Sequence, residues 1–308
     1  MARSNELKAL GVPMGAPHFK VRDILRKNKV QLFSSNFALY SNISQRIVSE
    51  LSIISPTLEV YSIDEAFLDL NQLMTADYES WAVQVKETIE KKVGVPVSVG
   101  VAPTKTLAKL ASDYAKSRSS ICVIDPKNSE PFYRKILESE SVSSVWGVGR
   151  QLARRFSAAG IHSAWDLAQT SEAWLHSHMG VNGSRMHKEL RGEVAYQLED
   201  TKRPQKSVIA SRSFGHKVKN YYELENAVAS LASQAAARLR KFNQIAGVFG
   251  VYMRYQDDQK RNNHQSAAVK LMPASNNTSE LTIAALELAN RLYMPDVGYK
   301  KAGVFAYN

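Results

Sequence analysis

Tyr61-Ser62-Ile63-Asp64-Glu65-Ala66-Phe67-Leu68-Asp69-Leu70 is the stretch from which the rest of this chain can be read. Upstream, Thr57-Leu58-Glu59-Val60-Tyr61 alternates polar and apolar residues; downstream, Phe67, Leu68 and Leu70 restore the apolar ones. Aromatic and β-branched residues around an adjacent Asp-Glu pair predict two short strands with the carboxylates at their junction. Neighbouring side chains on a strand point to opposite faces. Asp64 and Glu65 therefore converge on one site only where the strand bends or ends. Hard oxygen ligands suit magnesium, commonly held by one or two carboxylates plus substrate phosphates. Two metals so held clamp the attacking and leaving oxygens of a phosphoryl transfer. A solvated turn is the plain alternative. The apolar flanks count against it, because a buried strand end is a costly place for two unpaired charges.

The surrounding chain bounds the possibilities. Its 308 residues suffice for two or three domains, and 44% apolar content supports real cores. Forty Lys and Arg against 29 Asp and Glu give a formal charge of +11, which points to a polyanionic partner, nucleic acid before membrane. No run is long and apolar enough for a transmembrane helix, and Met1-Ala2-Arg3-Ser4-Asn5-Glu6 does not read as a signal peptide. The single Cys122 excludes an internal disulfide and fits a reducing, cytoplasmic setting.

Outward from the carboxylates, residues 1–35 are basic, with Lys8, Lys20 and Arg22 among them, and Gly11–Pro17 reads as loop. Helix is predicted over 41–51, where Ile43, Ile47 and Val48 share a face, and again over 78–92. Val97–Val101 alternates as a strand. Pro103-Thr104 opens a helix carrying Lys105, Lys109 and Lys116, with Thr104 as its N-cap. Such a helix is ordinarily a solvated face, but it follows a strand that could lie beside the carboxylates. Lys116 could then reach a triphosphate as a point charge. Ile121–Ile124 is a further short strand, completing an α+β region that ends near 140.

Val145-Trp146-Gly147-Val148-Gly149-Arg150 precedes a basic helix and a Gly160-Ile161 turn. A Gly-x-Gly turn before a helix offers backbone N–H groups and the helix dipole to an anion. The pattern is similar to a helix-hairpin-helix, which holds DNA backbone without reading sequence; a plain capping loop is the alternative. Residues 201–222 contain six Lys or Arg (Lys202, Arg203, Lys206, Arg212, Lys217, Lys219) and no acid, as a tether leading into a strand would. The predicted order from there is strand 207–216, helix 222–241, strands 247–255 and 265–271, helix 278–293 and strand 298–305. That is a ferredoxin-like β-α-β-β-α-β module. Ser211, Arg212 and Ser213 on its first strand are candidate phosphate contacts; a solvated edge strand is the alternative.

These residues together carry a family resemblance. Tyr61–Phe67 resembles the catalytic signature of Y-family translesion DNA polymerases, and Gly100–Ala111 and Val145–Gly149 resemble further motifs of that family. Ala2–Val12 and Ser211–Gly215 are similar to the subgroup of the DNA polymerase V catalytic subunit and its plasmid-borne relatives. The resemblance runs over essentially all 308 residues. It implies an α+β right-hand polymerase, with fingers at 1–36, palm at 37–140, a helix-hairpin-helix thumb at 141–203 and a DNA-binding little finger at 204–308. It implies an error-prone enzyme of the SOS response type that inserts nucleotides opposite damaged template bases. The primer 3′ hydroxyl would attack the α-phosphate of a dNTP across two magnesium ions, with pyrophosphate leaving. Asp64 and Glu65 would be catalytic metal ligands, and Lys8 and Lys116 nucleotide contacts; Lys105, Gly147, Gly149, Arg150, Ser211 and Arg212 would contact DNA.

The family's first palm strand, with another metal-binding Asp and the aromatic residue that excludes ribonucleotides, has no counterpart in these residues. Nor has the C-terminal tail where sliding-clamp and accessory SOS proteins are expected to bind. The expectation is a truncated product, with strands left unpaired at a sheet edge and catalysis impaired. Two other functions compete. One is a non-catalytic remnant that binds damaged DNA, with affinity falling steeply in salt. The other is a nucleotide cyclase, disfavoured because Ser62-Ile63 stands where a Gly-Gly pair is expected.

Overall fold

The computed structural model describes residues 2–71, 77–116, 118–125, 130–199, 206–256 and 261–307. Lys202 and Arg203 of the basic tether lie outside them, as does the expected boundary at 203/204. The chain divides into two compact units, Met1–Thr201 and Lys202–Asn308.

The first unit opens with α1 (Asn5–Ala9), capped by Ser4, and α2 (His18–Lys27). Leu7, Val12, Ala16, Val21 and Leu25 close a small core of their own. Helix α3 runs from Phe37 to Ile54, longer than its apolar periodicity predicts, because the Asn36 side chain accepts from Leu39 N–H and starts it earlier. Strands β1 (Leu58–Val60) and β2 (Ala66–Leu68) form an antiparallel hairpin. Helix α4 (Tyr78–Val93) starts at an Asp77 cap and ends at Gly94, whose φ of +79° suits the left-handed closing residue of a helix. Strand β3 (Val99–Val101) pairs in parallel with β4 (Ile121–Val123), and α5 (Lys105–Ala115) crosses between them. The two ladders are separate two-stranded sheets. Both lean on the same helical layer: Leu58, Ala66 and Leu68 of one and Val99 of the other pack around buried Leu51, Val85 and Ile89.

Beyond β4 the unit is helical: α6 (Glu130–Ser139), a 3₁₀ turn at Val142–Ser144, then α7 (Arg150–Ala158), α8 (Ala164–Gln169), α9 (Glu172–Met179) and α10 (Val181–Leu190). Their core is continuous with that of α5, because Leu107, Leu110 and Ala111 cluster with Ile136, Phe156, Leu167, Leu175 and Leu190. The expected boundary at 140/141 therefore crosses one hydrophobic core, and α5 belongs to both sides of it.

The second unit follows the predicted order: β5 (Ser207–Val218), α11 (Tyr221–Lys241), β6 (Ala246–Gln256), β7 (Asn262–Ser275), α12 (Thr278–Leu292) and β8 (Gly298–Tyr307). The sheet runs β5-β8-β6-β7, with every neighbour antiparallel, so one strand splits each β-α-β crossover. Strand β7 extends well beyond the predicted 265–271. Asn262, Asn263 and His264 have weak strand propensity, but pairing with Gln256, Tyr255 and Arg254 of β6 holds them in the ladder. The core lies on one sheet face only: Phe249, Val251, Met253, Val304 and Ala306 meet Leu224, Val228, Leu231 and Ala285 of the helices.

Candidate functional site

Asp64 and Glu65 lie in the turn between β1 and β2, as the sequence predicts. Tyr61 and Ser62 both donate backbone N–H to Glu65 C=O at 3.0 Å and close the hairpin. Ser62 Oγ donates to Asp64 Oδ1 at 2.7 Å, and the Asp64 carboxylate is exposed. Glu65 turns towards α5, where Lys109 Nζ donates to its Oε1 at 2.5 Å. Lys109 also lies 3.7 Å from Asp113 Oδ2, and Asp113 Oδ1 in turn accepts from Lys116 Nζ at 2.8 Å. Positions 109, 113 and 116 share one helix face. A chain of alternating charge therefore runs from Glu65 to the end of α5. Burial pulls the Lys109 pKa down, but the hydrogen bond to Glu65 and the charges of Asp113 and Glu65 outweigh it and hold the ammonium above its ordinary value.

The approach of α5 to the hairpin depends on Gly100. A Cβ there would lie 2.2 Å from Ala108 C=O and 2.3 Å from Ser112 N, so only glycine lets α5 rest directly on β3. The helix start is held by Glu189 of α10, which is fully buried. Its Oε2 accepts from Thr106 N–H at 2.9 Å, and its Oε1 from Ala195 N–H at 2.8 Å and Tyr196 N–H at 3.0 Å. Thr104 caps α5 and also donates to Glu189 C=O at 2.8 Å.

Lys105 serves the same junction. Its Nζ donates to both Glu59 oxygens at 2.7 and 2.8 Å. It also sits 5.0 Å from the Phe67 ring and 5.7 Å from that of Trp146. Trp146 donates its indole N–H to Tyr61 Oη at 2.9 Å and packs edge-on to the Tyr61 ring and obliquely against Tyr196. The hairpin bearing the carboxylates is thus fastened to the loop that leads into α7.

In that loop Gly147 takes φ +91°, a conformation that favours glycine, with Met186 just 3.1 Å from where its Cβ would be. Gly149 caps α7 without any side-chain hydrogen bond, and Arg150 begins the helix exposed. Val145 and Val148 are buried and anchor the turn from below. Beside it, Val142, Val148 and Ala153 line a shallow depression together with Ser141, Ser143, Arg150, Arg154 and Ser157, whose hydroxyls and guanidiniums are groups of the kind that meet phosphate oxygens.

The remaining predicted residues lie elsewhere. Lys8 is exposed on α1, whose core is its own. In the second unit, strand alternation separates Ser211 from Arg212. Arg212 pairs with buried Ala302 on the helix side of the sheet, and Ser211 pairs with Gly303 on the open side. Sequence reasoning missed Glu59, Trp146, Glu189 and Tyr196 as site-building residues. Trp146 stood inside a recognised motif; nothing marks the other three locally.

Among the described residues no group of three or more His, Cys, Asp or Glu could hold a metal. Asp64, whose carboxylate is exposed, has the chemistry of a magnesium ligand, since that ion usually takes one or two carboxylates and completes its shell with substrate phosphates and water; Glu65 would have to exchange Lys109 for the ion.

Comparison with known proteins gives the family and the fold. Residues 1–113 match the model of the impB/mucB/samB family, and residues 205–308 match that family's C-terminal domain. The chain is 35% identical over 309 residues to the protein UmuC of Salmonella typhimurium, covering 99% of this chain and 73% of that protein. It is 29% identical over 258 residues to DNA polymerase IV of Halorhodospira halophila, covering 83% of this chain and 70% of the relative. Its fold matches a solved Y-family DNA polymerase chimera of Dbh and Dpo4, with TM-score 0.75, 23% identity, and coverage of 98% of this chain and 85% of that one.

Proposed function

The chain belongs to the impB/mucB/samB family and has the Y-family DNA polymerase fold, and from that premise we propose that it is a cytoplasmic translesion DNA polymerase. Its substrates in this reading are primed, damaged DNA and deoxynucleoside triphosphates. One observation carries the reading: adjacent carboxylates on a hairpin turn, with Glu65 met by Lys109 of a helix that also bears Lys116. Asp64 and Glu65 would hold magnesium. When bound, such an ion supplies charge neutralisation at the transferring phosphate. Lys116, exposed at the end of α5, acts as a point charge for the triphosphate, while Lys109, engaged by Glu65 and Asp113, offsets the charge of the anionic turn. Arg150, Arg154 and the Gly147–Gly149 turn hold DNA backbone without reading bases. Lys105 holds the hairpin in this reading, since Glu59 already occupies its ammonium, and the DNA contact expected of it passes to Arg150 and Arg154.

A second reading, DNA binding without nucleotidyl transfer, is favoured by one observation: among the described residues no third metal-ligating side chain joins Asp64 and Glu65. Primer extension on a primed, lesion-containing template separates the two, with Asp64→Ala as control and DNA binding followed in parallel. Extension by the native chain and not by the variant supports the polymerase. Binding without extension by either leaves only the second reading.

A further inference from the structure

We propose that Trp146 is a positioning residue: its hydrogen bond to Tyr61 passes engagement of the glycine turn by a DNA backbone on to the carboxylate turn at Asp64 and Glu65. The inference rests on the polymerase reading above for its ligand and its reaction. The two turns are rooted in different cores. Val145 and Val148 belong to the helical core of Phe156 and Leu190, whereas Leu58, Ala66 and Leu68 of the hairpin pack around Leu51, Val85 and Ile89. Between the two buried valines, Trp146 is half-buried and reaches across to the hairpin.

The path through Trp146 is short on both sides. Its own peptide leads directly into Gly147, whose φ of +91° shapes the glycine turn. Its indole N–H donates to Tyr61 Oη at 2.9 Å, and the two rings meet edge-on, 5.2 Å apart with 88° between their planes. Tyr61 in turn donates its backbone N–H to Glu65 C=O at 3.0 Å, one of the bonds that close the carboxylate turn. A displacement of Gly147 thus reaches Glu65 through a peptide bond, a side-chain hydrogen bond and a backbone hydrogen bond in series. Phe67, on the strand that leaves the turn, lies 5.9 Å from the same indole, so both arms of the hairpin meet Trp146.

Stability does not call for this hydrogen bond. Tyr61 is exposed and Trp146 only half-buried, so water can accept from the indole N–H when the phenol is removed. An indole is a donor only, and giving that donor to an exposed phenol fixes a direction rather than a core. The plain alternative is an aromatic cluster that packs around Lys105 and transmits nothing. The two differ in one respect: packing needs the rings, and transmission needs the N–H···O bond.

The test therefore compares the full chain with Trp146→Phe, Tyr61→Phe and the double variant, each of which keeps its rings and breaks the bond. Positioning predicts that either single variant slows single-turnover primer extension at saturating DNA by about three- to tenfold, the worth of one hydrogen bond. The double variant should be no slower than the singles, because both remove the same interaction. Affinity for the primed duplex should not change. Hydrogen exchange gives a readout independent of catalysis. Added duplex should slow exchange in peptides spanning 57–69 of the native chain; each variant should lose that slowing while peptides spanning 145–155 keep theirs. Urea unfolding checks that the variants are folded. Native extension rates in folded Trp146→Phe, single-variant losses that add in the double variant, or hairpin slowing that persists in the variants each overturn the proposal and leave the polymerase reading standing. A native chain that binds duplex without extending it removes the polymerase reading, and the exchange measurement alone then decides the coupling. A native chain that binds no duplex overturns both.

Discussion

Glu189→Gln tests whether α5 is positioned by a buried carboxylate. In the native chain Glu189 accepts three backbone N–H groups, two on Oε1 and one on Oε2, with no exposure to water. The single bond from Thr106 comes from the first turn of α5, where the helix dipole favours an anion. Glutamine is nearly isosteric but offers one acceptor oxygen. Placed at the Oε1 position, that oxygen keeps Ala195 and Tyr196 but turns the amide NH₂ against Thr106 N–H. The stranded donor costs roughly 1–3 kcal/mol, and the two remaining bonds lose their charge assistance, which is about half their strength. The sum is a destabilisation of about 3 kcal/mol, borne by the first unit. All four tryptophans (Trp81, Trp146, Trp165, Trp174) belong to that unit, so tryptophan fluorescence during urea unfolding reports on it selectively. The midpoint should fall without a change in slope. A shift worth less than about 0.5 kcal/mol, the usual effect of a surface substitution, would refute the argument.

Gly100→Ala should destabilise the same transition by about 1–3 kcal/mol through overpacking, since the new methyl meets backbone atoms of α5. It should also reduce primer extension more than DNA binding, because it moves Lys109 away from Glu65. Cys122 is buried, and that burial pushes its thiol up to about 11, against a small opposing influence of Arg118. A raised folded-state pKa contributes stability that is complete below the unfolded thiol's value of about 8.5 and is lost as pH rises through the folded value. Urea unfolding between roughly pH 8 and 11 should therefore show a decline in stability that is shallower in Cys122→Ala. Arg150→Gln and Arg154→Gln should each lower duplex DNA affinity for every sequence alike and reduce the salt slope by about 0.9.

Much of the fold was legible because local patterns and tertiary demands agree. Alternation around Asp64-Glu65, the Thr104 cap and the apolar spacing of Leu224, Val228, Leu231 and Leu239 each name their element, and the structure buries those apolar residues. Element ends were less legible. Asn36 starts α3 early by capping it, and β6 holds the polar end of β7 in register, and neither effect shows in a window of residues. Gly100 carried a signal that sequence alone leaves ambiguous, since a glycine in a strand marks either weakness or close approach.

What the sequence by itself determined is the chemistry available: two carboxylates where a strand turns, lysines along one helix, a glycine turn before arginines, and a strongly basic second unit. These follow from short-range periodicity and residue type, which the chain carries wherever it folds. What only the tertiary structure decided is which of those groups meet. Lys109 rather than Lys105 reaches Glu65, Lys105 is given to Glu59, and Trp146 closes on Tyr61 across 85 positions of sequence. Ser211 and Arg212, adjacent in the chain, end on opposite faces of a sheet. Such pairings depend on how helices and strands pack at long sequence separation, and a buried acceptor such as Glu189 acquires its role only from the three backbone groups that packing brings to it.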